Sequence, residues 1–185
     1  MSRLVAAARA RHTRNIEEWV RWIAAQVNET QPGSTVTCRY DLPYEDRFIK
    51  VVVSAKQRGA LTYKFVVDGM TACPCSKKMI GIGHMQRAEI TLITKSAKPL
   101  DARDVIGRIS ECFSATPRAE LKRLDEAKKI LEAQANPRFA EDLVRECVSR
   151  FPGAMYIGSR CFESIHLHDA VASWSSRPGW EPVIR

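Results

Sequence analysis

Residues 89–113, E-I-T-L-I-T-K-S-A-K-P-L-D-A-R-D-V-I-G-R-I-S-E-C-F, decide how this chain is built. From Glu89 to Thr94, Ile90 and Leu92 alternate with Thr91, the period of a strand. Ile93 breaks the alternation, so this strand is expected to be covered on both faces. Pro99 ends the extended run, and Asp101 is placed to cap a helix. Its apolar face is Val105, Ile106, Ile109, Cys112 and Phe113, spaced by three and four.

Upstream lie three more β-rich runs, Thr35 to Tyr40, Phe48 to Val53 and Thr62 to Val67, the last ending at Asp68-Gly69. Gly59 between the second and third reads as an antiparallel link. Before them, Ile16, Trp19, Val20, Ile23 and Val27 predict one amphipathic helix starting at about Ser2 and stopped by Gln31-Pro32-Gly33. Downstream, Asn136 is placed to cap a helix with Pro137 in its first turn and Phe139, Leu143, Val144 and Cys147 inward. Pro152-Gly153 stops it. Strands from Met155 to Phe162 and from Ala170 to Trp174 follow.

Strand runs and helices segregate, which means an α+β fold with helices on one face of an antiparallel sheet. Residues 61–174 read as a complete ββααββ unit. Residues 1–60 read as the same unit without its opening strand pair, and residues 175–185 as a loose polar tail.

Composition narrows the function. With 45% hydrophobic and 27% charged residues among 185, wholesale disorder is excluded. No apolar run approaches the ~20 residues of a membrane span. Arg9 and Arg11 interrupt any signal-peptide core, so a cytoplasmic protein without a membrane partner is expected. The net charge of +8 favours an anionic partner. The basic residues are dispersed, which argues against a nucleic-acid tail. Six cysteines in such a chain point to thiol or metal chemistry rather than disulfides. Cys112 and Cys147 fall in helical apolar phase and read as buried small hydrophobes.

Two clusters carry chemistry. Cys73-Pro74-Cys75-Ser76-Lys77-Lys78, followed by His84-Met85-Gln86-Arg87, is expected in a loop beside a sheet edge. Cys-x-Cys is too short for a zinc knuckle. Its turn splays the thiols, so one can bind metal while the other stays free. In Phe162-Glu163-Ser164-Ile165-His166-Leu167-His168, two of the four histidines share a face if extended, beside a carboxylate. Histidine suits proton transfer near neutrality. Asp125-Glu126 and Glu141-Asp142 read, on their own, as salt-bridged helix surface.

Taken together and in order, V-D-G-M-T-A-C-P-C-S-K (67–77), G-H-M-Q-R (83–87), L-K-R-x-D-E (121–126), N-P-R-F-A-E-D-L-V-R (136–145) and F-E-S-I-H-L-H (162–168) resemble the prokaryote-specific type IB GTP cyclohydrolases and their archaeal relatives. The resemblance spans nearly the whole chain. It implies the tunnelling fold of tandem ββααββ modules, with GTP as substrate, a pterin product feeding folate-type pathways, and a homo-oligomer with sites where subunits meet. It further implies a divalent metal (Zn, Mn or Fe(II)) on Cys73, His84 and Glu126, and an active-site thiol at Cys75. Glu141 and Glu163 would be substrate-pocket acids, His166 a proton-transfer residue and His168 its neighbour. Lys77, Arg87 and Arg123 are candidates for the triphosphate. Leu124 stands where a proline commonly precedes the Asp-Glu pair.

Overall fold

Alternation of apolar side chains along six strands sets the architecture, and a computed structural model describes residues 2–180 of it. The expected tail is described only to Trp180. Ser176 N donates to Met155 O at 3.0 Å, and the Trp180 ring meets Tyr156 edge-on with centroids 6.3 Å apart.

The strands are β1 (Val36–Tyr44), β2 (Arg47–Ala55), β3 (Leu61–Ala72), β4 (Met85–Ser96), β5 (Ala154–Cys161) and β6 (Ala170–Ser175). They form one antiparallel sheet in sequential order, β1 and β6 at its edges. Pro43 lies in β1, an edge strand, where a missing N–H leaves no ladder bond unmade. β3 pairs with β4 over its whole length, from Leu61 opposite Ser96 to Ala72 opposite Met85.

The helices are α1 (Ser2–Ala10), α2 (Ile16–Thr30), α3 (Pro74–Ile80), α4 (Ala102–Ser110), α5 (Arg123–Ala135) and α6 (Ala140–Arg150). Val20 and Ala24 of α2, Ile106 and Ile109 of α4, and Leu143 and Cys147 of α6 join Val51, Val53, Phe65, Val67, Ile90, Leu92 and Ile157 of the sheet in one buried cluster. The expected α+β fold, helices on one face of an antiparallel sheet, is what forms. Asp101 caps α4 as its sequence position implies, accepting from Arg103 N at 2.9 Å and Asp104 N at 3.3 Å. Thr91 and Ile93 are buried as well as Ile90 and Leu92, so β4 is covered on both faces there.

Several local expectations are corrected. The single first helix is two: Asn15 caps α2 by accepting from Glu18 N, and α1 folds back so that Trp19 Nε1 donates to Ala8 O at 2.9 Å. Of the expected stripe, Val20 is fully buried and Ile16 and Trp19 pack half-buried against the core, but Ile23 and Val27 are not among the buried residues, and Glu17, Ala24 and Asn28 complete the buried face. Its two polar members are satisfied, Glu17 by the Tyr63 hydroxyl at 3.1 Å and Asn28 Nδ2 by Ala24 O at 2.7 Å. Asn136 ends α5 instead of starting α6, and α6 begins three residues after Pro137, where Asp142 accepts from Phe139 N at 2.9 Å. β3 runs past Gly69 to Ala72. The Cys-Pro-Cys segment is not loop but the start of α3, with Pro74 in its first turn.

Gly69 shows how tightly the segment after α4 meets the sheet. A Cβ there would lie 2.0 Å from Phe113 Cγ, so the buried Phe113 ring occupies the space a side chain would take. Gly69→Ala is therefore expected to displace the ring and destabilise the fold by about 1–3 kcal/mol. A urea unfolding midpoint that falls at unchanged slope would register this. An unchanged midpoint would mean that the ring is free to move.

Candidate active site

The excursion between β3 and β4 is the scaffold of the site. Cys73 is the N-cap of α3, and its backbone N–H donates to His84 O at 2.9 Å, closing the excursion at its root. Ser76 ties it from inside: its hydroxyl donates to Cys73 O at 3.4 Å and accepts from His84 N at 3.0 Å. A Cβ on Gly83 would stand 2.6 Å from Cys73 O, so only glycine lets the backbone before His84 approach this closely. The side chain of Gln134 on α5 clasps the same glycine from outside, accepting from Gly83 N at 2.8 Å and donating to Gly83 O at 2.7 Å.

A second loop, between β5 and β6, faces this excursion. Its base is locked by Arg160 Nε donating to Asp169 at 2.7 Å. The loop is not extended, yet it delivers both histidines. His166 and His168 stack with centroids 5.5 Å apart, and His166 meets the His84 ring edge-on at 6.3 Å. Glu163 Oε2 lies 3.9 Å from His84 Nε2, and Ser164 Oγ lies 3.3 Å from His84 Nδ1.

Between the two loops and the first turn of α6 is a cavity of about 330 Å³. Cys73, Cys75, His84, Glu141, Glu163, His166 and His168 all line it. Cys75 is exposed and Cys73 half-buried. Gln86, Arg138 and Cys161, not assigned to the site from sequence, also line the cavity, and so does Phe139, which was expected inward but is exposed at the start of α6. Gln86 was findable, being two residues beyond His84 on a strand and hence on the same face. Burial pushes the Cys161 thiol up to about 11, so it is a neutral wall beside the exposed Cys75.

Four expected site residues are not among the lining residues. Lys77 Nζ donates to Gln134 O, Arg87 pairs with Asp68 at 3.7 Å, and Arg123 is exposed at the start of α5. Glu126 is exposed in the first turn of α5. It lies two turns, about 12 Å along the axis, from the Gln134 pinned to Gly83. A thiolate, an imidazole and a carboxylate suit a divalent transition metal. Cys73 and His84 are joined through their backbones and both line the cavity, and Glu126 is not among the lining residues. Among the described residues no group of three or more His, Cys, Asp or Glu is gathered closely enough to hold an ion. Nor is any helix among them long and apolar enough to cross a membrane.

Comparison with known proteins fits this arrangement. The chain is 29% identical to the GTP cyclohydrolase MptA of Picrophilus torridus, over 93% of this chain and 72% of that protein. It is 34% identical to the GTP cyclohydrolase FolE2 of Thiobacillus denitrificans, over 79% of this chain and 55% of the relative. Identity to FolE2 of Nitrosomonas eutropha is 36%, over 79% of this chain and 56% of the relative. The chain thus spans about half the length of the FolE2 relatives it matches. A family described as "Type I GTP cyclohydrolase folE2" matches residues 1–172, so this chain belongs to the type I GTP cyclohydrolase FolE2 family, a family of enzymes.

Proposed function

We propose that this chain is a metal-dependent GTP cyclohydrolase that opens the guanine imidazole ring at C8, releasing formate and giving 7,8-dihydroneopterin triphosphate or a close relative. The observation that carries this reading is the convergence of three cysteines, three histidines and two glutamates on one cavity. Cys73 and His84 would hold the divalent ion, whether zinc, manganese or iron(II); Glu126, exposed on α5 outside the cavity, would complete the set only by being brought to them. Such an ion, when bound, supplies the Lewis acidity that makes a water nucleophilic toward C8 near neutral pH.

The remaining groups divide the work by chemistry. A carboxylate of Glu141 or Glu163 can accept from both the N1–H and the exocyclic amine of guanine, which selects guanine over adenine. Proton movement on and off the ring nitrogens falls to His166, with His168 stacked on it and the Cys75 thiol lining the same cavity. The triphosphate falls to basic side chains outside the cavity, Lys77, Arg87 and Arg123. The exposed position of Glu126 favours a second reading, in which the chain binds a purine or pterin and turns it over only with a partner. Formate release from GTP after reconstitution with zinc, manganese or iron(II) separates the two.

A homo-oligomer with sites at subunit contacts completes the proposal. The apolar side chains of Met79, Ile80 and Ile82 on and after α3, and of Ile165 and Leu167 in the histidine loop, are exposed around the site. β1 and β6 leave unpaired strand edges. Covering such surface stabilises association by roughly 25 cal/mol per Å².

Cys73→Ala and His84→Ala are expected to lose bound metal, whereas Cys75→Ala keeps it and loses formate release. Metal analysis of the three purified proteins decides this. Equal loss in all three would make the two cysteines a structural pair. Glu141→Gln or Glu163→Gln, whichever reads guanine, should weaken 8-oxo-GTP binding by roughly 1.5–3 kcal/mol, about tenfold to a hundredfold, with metal content and folding intact. Undiminished affinity in both would return these acids to ordinary surface roles. Diluted toward nanomolar concentration, the protein should lose structure and activity together, as light scattering and circular dichroism would record. A folded, active monomer would remove the oligomer from the proposal.

A further inference from the structure

Of the cavity's walls, Gln86 is the least expected. It is 8% exposed, at the start of β4 and two residues beyond His84. Ala88 pairs with Cys161, and continuing that register past the end of β5 sets Gln86 opposite Glu163. Its amide Nε2 donates to Glu163 Oε1 at 3.3 Å. Its carbonyl Oε1 is buried without a hydrogen-bond partner. Flipping the amide would not help, because Oε1 would then face a carboxylate oxygen, acceptor against acceptor.

A buried acceptor left unmade is unfavourable, and an apolar side chain of similar shape would avoid it. The amide is therefore held here against stability, and among the described residues its only side-chain bond is to Glu163. That bond occupies one carboxylate oxygen. The other, Oε2, is 3.9 Å from His84 Nε2, beyond hydrogen-bond length, and keeps its lone pairs for a ligand.

We infer that Gln86 is a positioning residue for ligand recognition: it pins one oxygen of Glu163 so that the other is presented to an N–H donor of the bound purine. This rests on the nucleotide reading of the cavity. Gln86 touches no ligand in this role and acts only through Glu163.

The test is binding of 8-oxo-GTP by the whole chain, with thermal melting of each unliganded variant. Gln86→Met keeps the shape and removes the donor. It should bind about tenfold more weakly while melting no lower than wild type. In a Glu163→Ala background the same change should alter affinity less than about twofold, because the group it positions is gone. Gln86→Glu sets a like charge against Glu163 and should bind more weakly than Gln86→Met. This ordering decides the matter even where binding by Glu163→Ala is too weak to titrate. Wild-type affinity in Gln86→Met, equal losses in both backgrounds, or Gln86→Glu binding as well as Gln86→Met would each overturn the role. Failure of the wild-type chain itself to bind 8-oxo-GTP would overturn the nucleotide reading, and this role with it.

Discussion

The antiparallel pairing of β3 with β4 is the constraint on which the rest depends. It runs unbroken from Leu61 and Ser96 to Ala72 and Met85, and its last rung is the Cys73–His84 backbone bond. Side chains alternate along both strands, so this one register assigns Phe65, Val67, Ile90 and Leu92 to the helix-covered face. The same register brings a cysteine and a histidine eleven positions apart in sequence to the same end of the ladder. A slip of one residue would turn the core outward and separate the two at once.

The sheet was legible because its information is local and periodic. Val51, Val53, Phe65, Val67, Ile90 and Leu92 announce their faces in sequence, and Asp101 announces a helix start. The helix α5 was not. Its composition favours helix, but Leu124, Ile130 and Leu131 are exposed and only Ala133 is buried, so no apolar stripe marks it. Asn136 misled for a related reason: an Asn before Pro resembles an N-cap, but here it closes the preceding helix. In α2 the buried face turns away from Ile23 and Val27 toward Ala24 and Asn28, because Tyr63 satisfies Glu17 and backbone carbonyls satisfy Asn28.

The cavity was partly legible for a different reason. Cys73, Cys75, His84, Glu163, His166 and His168 stand out by residue type, and Glu141 by its place in a motif. Residue type says nothing of distance. Glu126 sits in a motif of its own, far along the chain from its expected partners, and lies on an exposed helix; Arg138, embedded in another motif as an ordinary cation, lines the cavity instead. Gln86 is uncharged and unremarkable in composition, and only the register between β4 and β5 reveals what it faces.

The lock between Arg160 and Asp169 has a consequence for how this protein fails under stress. β6 is a short edge strand paired with one neighbouring strand, though Ala170, Ala172 and Trp174 also pack against the core, and edge strands open before a core does. The histidine loop is strung between β5 and β6, so its shape persists only while β6 stays docked. Fraying of six residues at the periphery would thus scatter His166 and His168 while the buried cluster stays intact. Heat or protease would silence this centre at its hem first, leaving a molecule whose far-ultraviolet spectrum still reads as folded.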